Sequence, residues 1–379
     1  MIYLDHNATT PIAPEVLDAM RAYLERHFGN PSSAHAVGER SGAAVAAARA
    51  DVARLLGGDP GAVVFTASGS EADNLAIAGV ALAHLGERDH IVTSAVEHPA
   101  VLATCRYLRR RLGFRLTVVP VDADGMVDPD DVRRAIEPRT ALVSIMHANN
   151  EVGTLQPIAE IAALAHELGV LVHTDAAQSV GKLPVDVGAL GVDLLTLTGH
   201  KFNGPKGIGA LYVRPGTRLD ALIHGGGQEH GLRAGTENVP YIAGLGAAAT
   251  LAGNRLRRGD HLRMRRLRDR LHARLQGAVP GLELNGHSHD RLPNTLNVSV
   301  PGVEGAHLLA RSPTIAASTG SACHSGQTDP SGVLTAMGLD ATRARGAVRL
   351  SLGYDTTAAE IDAAAGALAA AAVLGTVPG

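Results

Sequence analysis

Of the 34 basic side chains in this 379-residue sequence only three are lysine, Lys182, Lys201 and Lys206, and all three fall in one short stretch. Arginine supplies the rest of the positive charge, so each lysine is a candidate for what a guanidinium cannot do. An amine can lose its proton and attack a carbonyl carbon, whereas arginine stays protonated. Lys201 is the most suggestive. It ends the run Val192-Asp193-Leu194-Leu195-Thr196-Leu197-Thr198-Gly199-His200-Lys201, which reads as a buried strand emptying into a Gly-containing loop. Open α/β sheets bind ligands beyond the carboxyl ends of their strands, so polar residues at the other strand ends belong to the same question.

Four more such ends carry chemistry. Ser68-Gly69-Ser70-Glu71 opens a helix whose free N–H groups and dipole suit a phosphate, and Ser68-x-x-Glu71 equally makes a capping box that needs no ligand. His98, in Val96-Glu97-His98, can stack on a flat heteroaromatic ring, shuttle a proton near neutral pH, or serve only the structure. Ala148-Asn149-Asn150-Glu151 sets two amides in succession, suited to a turn or to side-chain hydrogen bonding. His173-Thr174-Asp175-Ala176-Ala177-Gln178 brings a carboxylate to a buried strand end, where it needs a cation or a protonated ring nitrogen, with Gln178 in reach of the same ligand. A phosphate cradle, a stacking imidazole, a ring-nitrogen carboxylate and an amine together meet the needs of pyridoxal phosphate.

The elements that must position these groups are visible as short apolar runs at 62–67, 90–94, 115–121, 141–147, 170–174, 193–198 and 208–213. Helical patterns at 71–85, 99–112, 129–136 and 157–168 separate most of them. Seven strands largely alternating with helices predict an α/β fold built on a mostly parallel, doubly wound sheet. One long arginine-dense helical stretch is expected from 240 to about 275. Beyond it a smaller α+β domain is expected, with a strand at 295–300, a helix at 305–310, a strand near 315–318 and closing helices.

Composition narrows the function classes. Hydrophobic content of 45% with 19% charged residues describes a soluble globular protein. The absence of Trp, 3% aromatic residues and a net charge of −3 argue against direct nucleic acid binding. Cys105 and Cys323 make neither a disulfide framework nor a metal-ligand pair, so no metal is expected and a cytoplasmic setting is. The amino-terminal residues lack the pattern of an export signal. The Ala-rich segment 358–374 is interrupted by Glu360 and Asp362, which predicts a packed helix and no membrane span.

Further runs complete a pattern: Tyr3-Leu4-Asp5-His6-Asn7-Ala8-Thr9-Thr10, Gly29-Asn30-Pro31-Ser32-Ser33, residues 65–74, Arg233-Ala234-Gly235-Thr236-Glu237-Asn238 and Gly320-Ser321-Ala322-Cys323-His324-Ser325. With Asn149-Asn150-Glu151, residues 173–178 and Gly199-His200-Lys201 in their order, the chain resembles the cysteine desulfurases and selenocysteine lyases, class V enzymes of fold-type I that use pyridoxal 5'-phosphate. The resemblance runs along nearly the whole length. It implies a fold-type I transferase with a large cofactor-binding domain at 16–250, and a small domain from 1–15 and 251–379 that carries a mobile Cys323 loop. It implies that Lys201 bonds to the cofactor aldehyde, Asp175 partners the pyridine nitrogen, Gln178 meets the ring hydroxyl oxygen and His98 stacks on the ring. Gly69, Ser70, Thr198 and His200 resemble phosphate ligands, and Thr236 resembles a threonine that reaches the phosphate of a neighbouring subunit, which implies a homodimer. Asn150 and Arg349, with Asn7 nearby, resemble the residues that hold the substrate carboxylate, a task that suits a bidentate arginine. Lys182 and Lys206 match family positions and carry no implied chemistry.

The reaction implied is conversion of L-cysteine to L-alanine. Lys201 moves the Cα proton, His98 supplies protons, and the Cys323 thiolate takes the sulfur as a persulfide for an acceptor protein. The pathway of that acceptor, whether an iron–sulfur scaffold, tRNA or DNA thiolation, or cofactor synthesis, stays open. Selenocysteine lyase is the alternative, and His324 beside the cysteine leans toward it. An aminotransferase or epimerase of the same fold is a third reading.

Overall fold

The computed structural model describes residues 1–319 and 331–375. Its strands are β1 (Ile2–Tyr3), β2 (Val63–Thr66), β3 (His90–Ser94), β4 (Arg115–Val119), β5 (Thr140–Ser144), β6 (Leu171–Asp175), β7 (Leu194–Thr198), β8 (Gly209–Val213), β9 (Glu283–Asn285), β10 (Thr295–Ser299), β11 (Ile315–Ala316) and β12 (Ala347–Ser351). Seven of them form one sheet in the order β2-β8-β7-β6-β5-β3-β4, with β8 antiparallel to both neighbours and the other pairs parallel. This is the sheet the alternating pattern predicts. β3, β5 and β7 are buried at every position because helices cover both faces, which is why they read as unbroken apolar and Thr/Ser runs.

Helix starts follow from local chemistry. Ser68 caps Gly69–Ala83 by accepting from the Glu71 N–H, while Glu71 Oε2 accepts from the Ala67 N–H at 2.9 Å. The capping reading of that motif is therefore realised, and it leaves the N–H groups of Gly69 and Ser70 in the first turn for another acceptor. Pro99–Leu112 begins with proline at its first position, and His98 caps it.

Two expectations need correction. The stretch from 240 is not one helix but two, Val239–Arg257 and Asp260–Ala278, broken where Gly259 adopts a left-handed φ of 77°. The strand near 315–318 pairs only as β11 with β1, and Ser318 makes a separate bridge to Arg349. Two further helices, Pro14–Glu25 and Ala36–Leu56, pack on Val239–Arg257. There the backbones approach so closely that a Cβ on Gly246 would lie 2.6 Å from the Cα of Ala48.

The apolar core is divided. One cluster joins Val16, Val45 and Leu56 to the inner face of the large sheet and to Leu245. Another joins Leu4 to Leu267, Leu271, Leu296, Leu350 and Ile361 around the antiparallel sheet β12-β10-β9. Residues 4–13 thus pass from the second cluster to the first, across the carboxyl ends of the large sheet. Among the described residues no helix is long and apolar enough to cross a membrane.

Candidate active site

A cavity of about 1060 Å³ lies where those strands end, between the two cores. It is lined by Gly69 and Ser70 beyond β2, His98 beyond β3, Asn150 beyond β5, Asp175 and Gln178 at the end of β6, and Thr198, His200 and Lys201 at the end of β7. Asp5, Asn7, Lys206 and Arg349 complete the wall. Apart from Thr236 and Cys323, the residues expected to act together are therefore brought together. Thr236 is exposed on a loop and does not line this cavity, and Cys323 lies outside the described residues.

One side of the cavity is acidic. Asp175 ends β6, where its Oδ1 accepts from the Ala177 N–H at 2.9 Å. Burial raises its pKa, and the nearby His98 and Lys201 oppose the rise. Asp73, on the first helix after the capped turn, places a second buried carboxyl against it. Burial, and then Asp175 itself, push the Asp73 pKa well up, and its Oδ1 has no hydrogen-bond partner. Polar atoms of Asp73, His98 and Asp175 all lie within 4.8 Å of one another. Glu97 sits behind them, accepting from Ser94 Oγ at 2.6 Å and the Met146 N–H at 2.9 Å, with burial holding its pKa at about 8. The His98 ring accepts the Ala100 N–H at Nδ1, 3.2 Å, which leaves its proton on Nε2.

The other side is basic. Lys201 Nζ donates to the backbone oxygens of Asn7 at 2.6 Å and Ala8 at 2.9 Å, and burial lowers its pKa to about 8. An amine in that range is available as a nucleophile and proton carrier near neutrality. Arg349, in β12, donates from Nη2 to Asp5 Oδ1 at 2.6 Å and from Nη1 to the Asn150 carbonyl at 3.1 Å. Among the described residues its buried Nε has no hydrogen-bond partner. The Asn150 side chain makes no hydrogen bond among the described residues. Asn7 differs from its expected role, because Nδ2 donates to the Asn150 carbonyl and Thr295 Oγ1 while Oδ1 accepts from Lys182 and Asn294. All four amide positions are filled, and Asn7 instead touches the site through the carbonyl that holds Lys201.

These residues fit pyridoxal phosphate. The buried Asp175 carboxylate needs a cation, and a protonated ring nitrogen would supply one. The free N–H groups of Gly69 and Ser70 suit a phosphate, with the Thr198 hydroxyl nearby. His200, its pKa lowered to about 4 by burial and Lys201, is neutral there, and its Nδ1 lies 3.2 Å from Thr9 Oγ1. Cys105 is buried in its helix, and burial pushes its thiol up to about 12, so it is no nucleophile. Asp73 and Glu97 were given no role by sequence reasoning, and Lys182 was set aside as carrying no chemistry. Val96-Glu97-His98 held the only signal, an acid beside a candidate histidine.

A family model described as aminotransferase class-V matches residues 2–364. A cysteine desulfurase IscS of Methanosarcina thermophila is 48% identical over 365 residues, 95% of this chain and 89% of that protein. The solved structure of a NifS-like protein superposes with a TM-score of 0.92 at 37% identity, covering 99% of this chain and 100% of the other. SspA solved in complex with cysteine gives 0.83 at 39% identity, covering 93% and 99%.

Proposed function

The chain belongs to the aminotransferase class-V family, and from that membership we propose that it is a cysteine desulfurase, converting L-cysteine to L-alanine and passing the sulfur to an acceptor protein. What carries the reading is the convergence of Lys201, Asp175 and Arg349 on one cavity, in a chain whose near relatives are cysteine desulfurases. Those relatives also overturn the lean toward selenocysteine lyase drawn from His324.

Bound in the cavity, pyridoxal 5'-phosphate supplies the aldehyde that takes up the amino acid and an electron sink that loosens its Cα–H and Cβ–S bonds. The protein does the rest. Asp175 would keep the ring nitrogen protonated, and His98, fixed by its cap bond, would stack on the ring. Gly69, Ser70, Thr198 and His200 hold the phosphate. Arg349 offers its unpartnered Nε to the substrate carboxylate and Asn150 its free amide. Lys201 then moves the Cα proton as a neutral amine. The Cys323 thiolate bonds to the substrate sulfur as the C–S bond breaks. The electron pair stays with carbon, which takes up a proton and leaves as alanine, and Cys323 keeps the persulfide.

Leu4 joining the second core and Val16 the first support the division into 16–250 against 1–15 with 251–379 in outline, with Ala13 and Ala252 also packing into the first. Thr236, exposed and outside its own cavity, suits a homodimer in which it completes the partner's phosphate site. A cytoplasmic setting suits a thiol that must stay reduced. The test is turnover of L-cysteine by the cofactor-loaded protein, with alanine and the persulfide on Cys323 measured separately. The expected result is stoichiometric alanine and a persulfide lost in Cys323→Ser. Alanine and sulfide release unchanged in that variant would overturn the persulfide route.

A further inference from the structure

Lys182 is one of the most buried charged groups in the protein, with 4% of its surface exposed, and nothing in the proposed reaction uses it. A turn built by Gly181, whose φ of 78° is left-handed and whose missing Cβ makes room for Phe202, brings it back beneath Gln178. Its Nζ donates to Gln178 Oε1 at 2.7 Å and to Asn7 Oδ1 at 3.1 Å. Two acceptors match the two N–H bonds of a neutral amine, whereas an ammonium would leave a third buried donor unpaired. Lys201, Arg349 and His6 are the charged or titratable groups whose fields reach it, and burial with the first two drives its pKa well down.

The consequence falls on Gln178. Its Nε2 donates one hydrogen to the Asn7 carbonyl at 3.0 Å, the oxygen that also holds Lys201 at 2.6 Å. With Oε1 held by Lys182 and one Nε2 hydrogen by Asn7, the second Nε2 hydrogen is the amide's remaining donor for the cavity. Turning the amide over would set Oε1 against the Asn7 carbonyl and forfeit the Lys182 bond.

We infer that Lys182 is a positioning residue: by holding Gln178 Oε1 it keeps an amide N–H, and not an oxygen, aimed at the ring oxygen of pyridoxal phosphate. A hydrogen-bond donor at that oxygen favours its anionic form. The inference rests on the cofactor reading above. Lys201 and Lys182 are therefore not interchangeable amines: one reacts, and the other orients the group that tunes what it reacts with.

The test is the pH midpoint of the bound cofactor's visible absorbance in the parent, Lys182→Met, Gln178→Leu and the double variant. Lys182→Met should raise the midpoint by about one pH unit, the worth of one charge-assisted hydrogen bond. Gln178→Leu should raise it at least as far, and the double variant should go no further than Gln178→Leu alone. An unmoved midpoint in Lys182→Met, or additive shifts in the double variant, overturns the inference. If Lys182→Met does not fold, carbon-13 labelling of the three lysines reads the same coupling in a chain that keeps Lys182. Adding pyridoxal phosphate should move the Lys182 resonance further in the parent than in Gln178→Leu, where only the change at Lys201 is felt, and equal movement in both overturns the inference. Absence of any visible band in the parent would instead overturn the cofactor reading.

Discussion

The acidic and basic walls of the cavity respond to burial in opposite directions and are built in different ways. Asp73, Asp175 and Glu97 are pushed up, and Lys201 and Lys182 are pushed down, so burial drives each wall toward its neutral form. Each wall also keeps a buried atom with no hydrogen bond among the described residues, Asp73 Oδ1 on one side and Arg349 Nε on the other. The acidic wall stands on neighbouring pieces of one rigid sheet and its first helix. The basic wall is knitted from segments around residues 5–8, 178–182, 201, 294–295 and 349. A ligand with a cationic ring nitrogen at one end and an aldehyde and a carboxylate at the other would satisfy both walls at once. The difference teaches that neighbouring strand ends set the acidic groups, while segments crossing from elsewhere hold Lys201, itself at the end of β7, and Arg349.

The largest effect should come from the basic wall. Lys201→Ala should lower desulfurase turnover by about 10⁴-fold, the upper range for loss of a positioned proton carrier. After borohydride reduction, mass spectrometry should find the cofactor on Lys201 of the parent and on no lysine of the variant. Cofactor attached to Lys182 in Lys201→Ala would break the contrast between the two amines. On the acidic wall, Asp175→Asn keeps the shape and removes the charge, and should cost about 10²- to 10³-fold in kcat. Asp73→Asn should cost far less, because burial already favours a neutral Asp73. Equal losses would show that the two carboxyls share one role.

The smallest effect tests burial alone. The Glu97 pKa rises from 4.5 to about 8 on folding, so the folded chain holds an extra proton between those values and stability falls as pH rises through that window. Glu97→Gln carries no such proton. Its melting temperature relative to the parent should improve by roughly 2–4 °C between pH 5 and pH 8. A constant difference across that range would mean that Glu97 is not held protonated by its surroundings.

Legibility in the sequence follows the same divide. The strand ends at Asp175, Lys201 and His98 were readable because the apolar runs before them are unbroken and the polar residues after them are few. Asp73 was not, since its meaning depends on which face of its helix meets β6 and β7. Lys182 read as structural because its partners, Gln178 and Asn7, lie in a turn and in a distant segment. The helices at Pro14–Glu25 and Ala36–Leu56 were not among the elements expected from the sequence. The first buries Val16 and Met20, and the second mixes Val45, Val52 and Leu56 with Ala48 and Ala53, where Gly246 packs against Ala48. The single helix expected from 240 to 275 ignored Gly259, whose left-handed backbone ends one helix and starts the next.

The segment from Ile2 to Thr10 has a consequence for when the enzyme comes into being. Ile2 and Leu4 bond to Thr314 and Ala316, His6 and Asn7 to Ser351, and Thr10 to His200. This stretch leaves the ribosome long before most of those partners, at about 5–20 residues per second. For on the order of tens of seconds a growing chain can have its large sheet, Asp175 and Lys201 in hand while the carbonyls that hold the lysine have nowhere to dock. Docking of this segment on the small sheet therefore waits for β12, the last strand to be made.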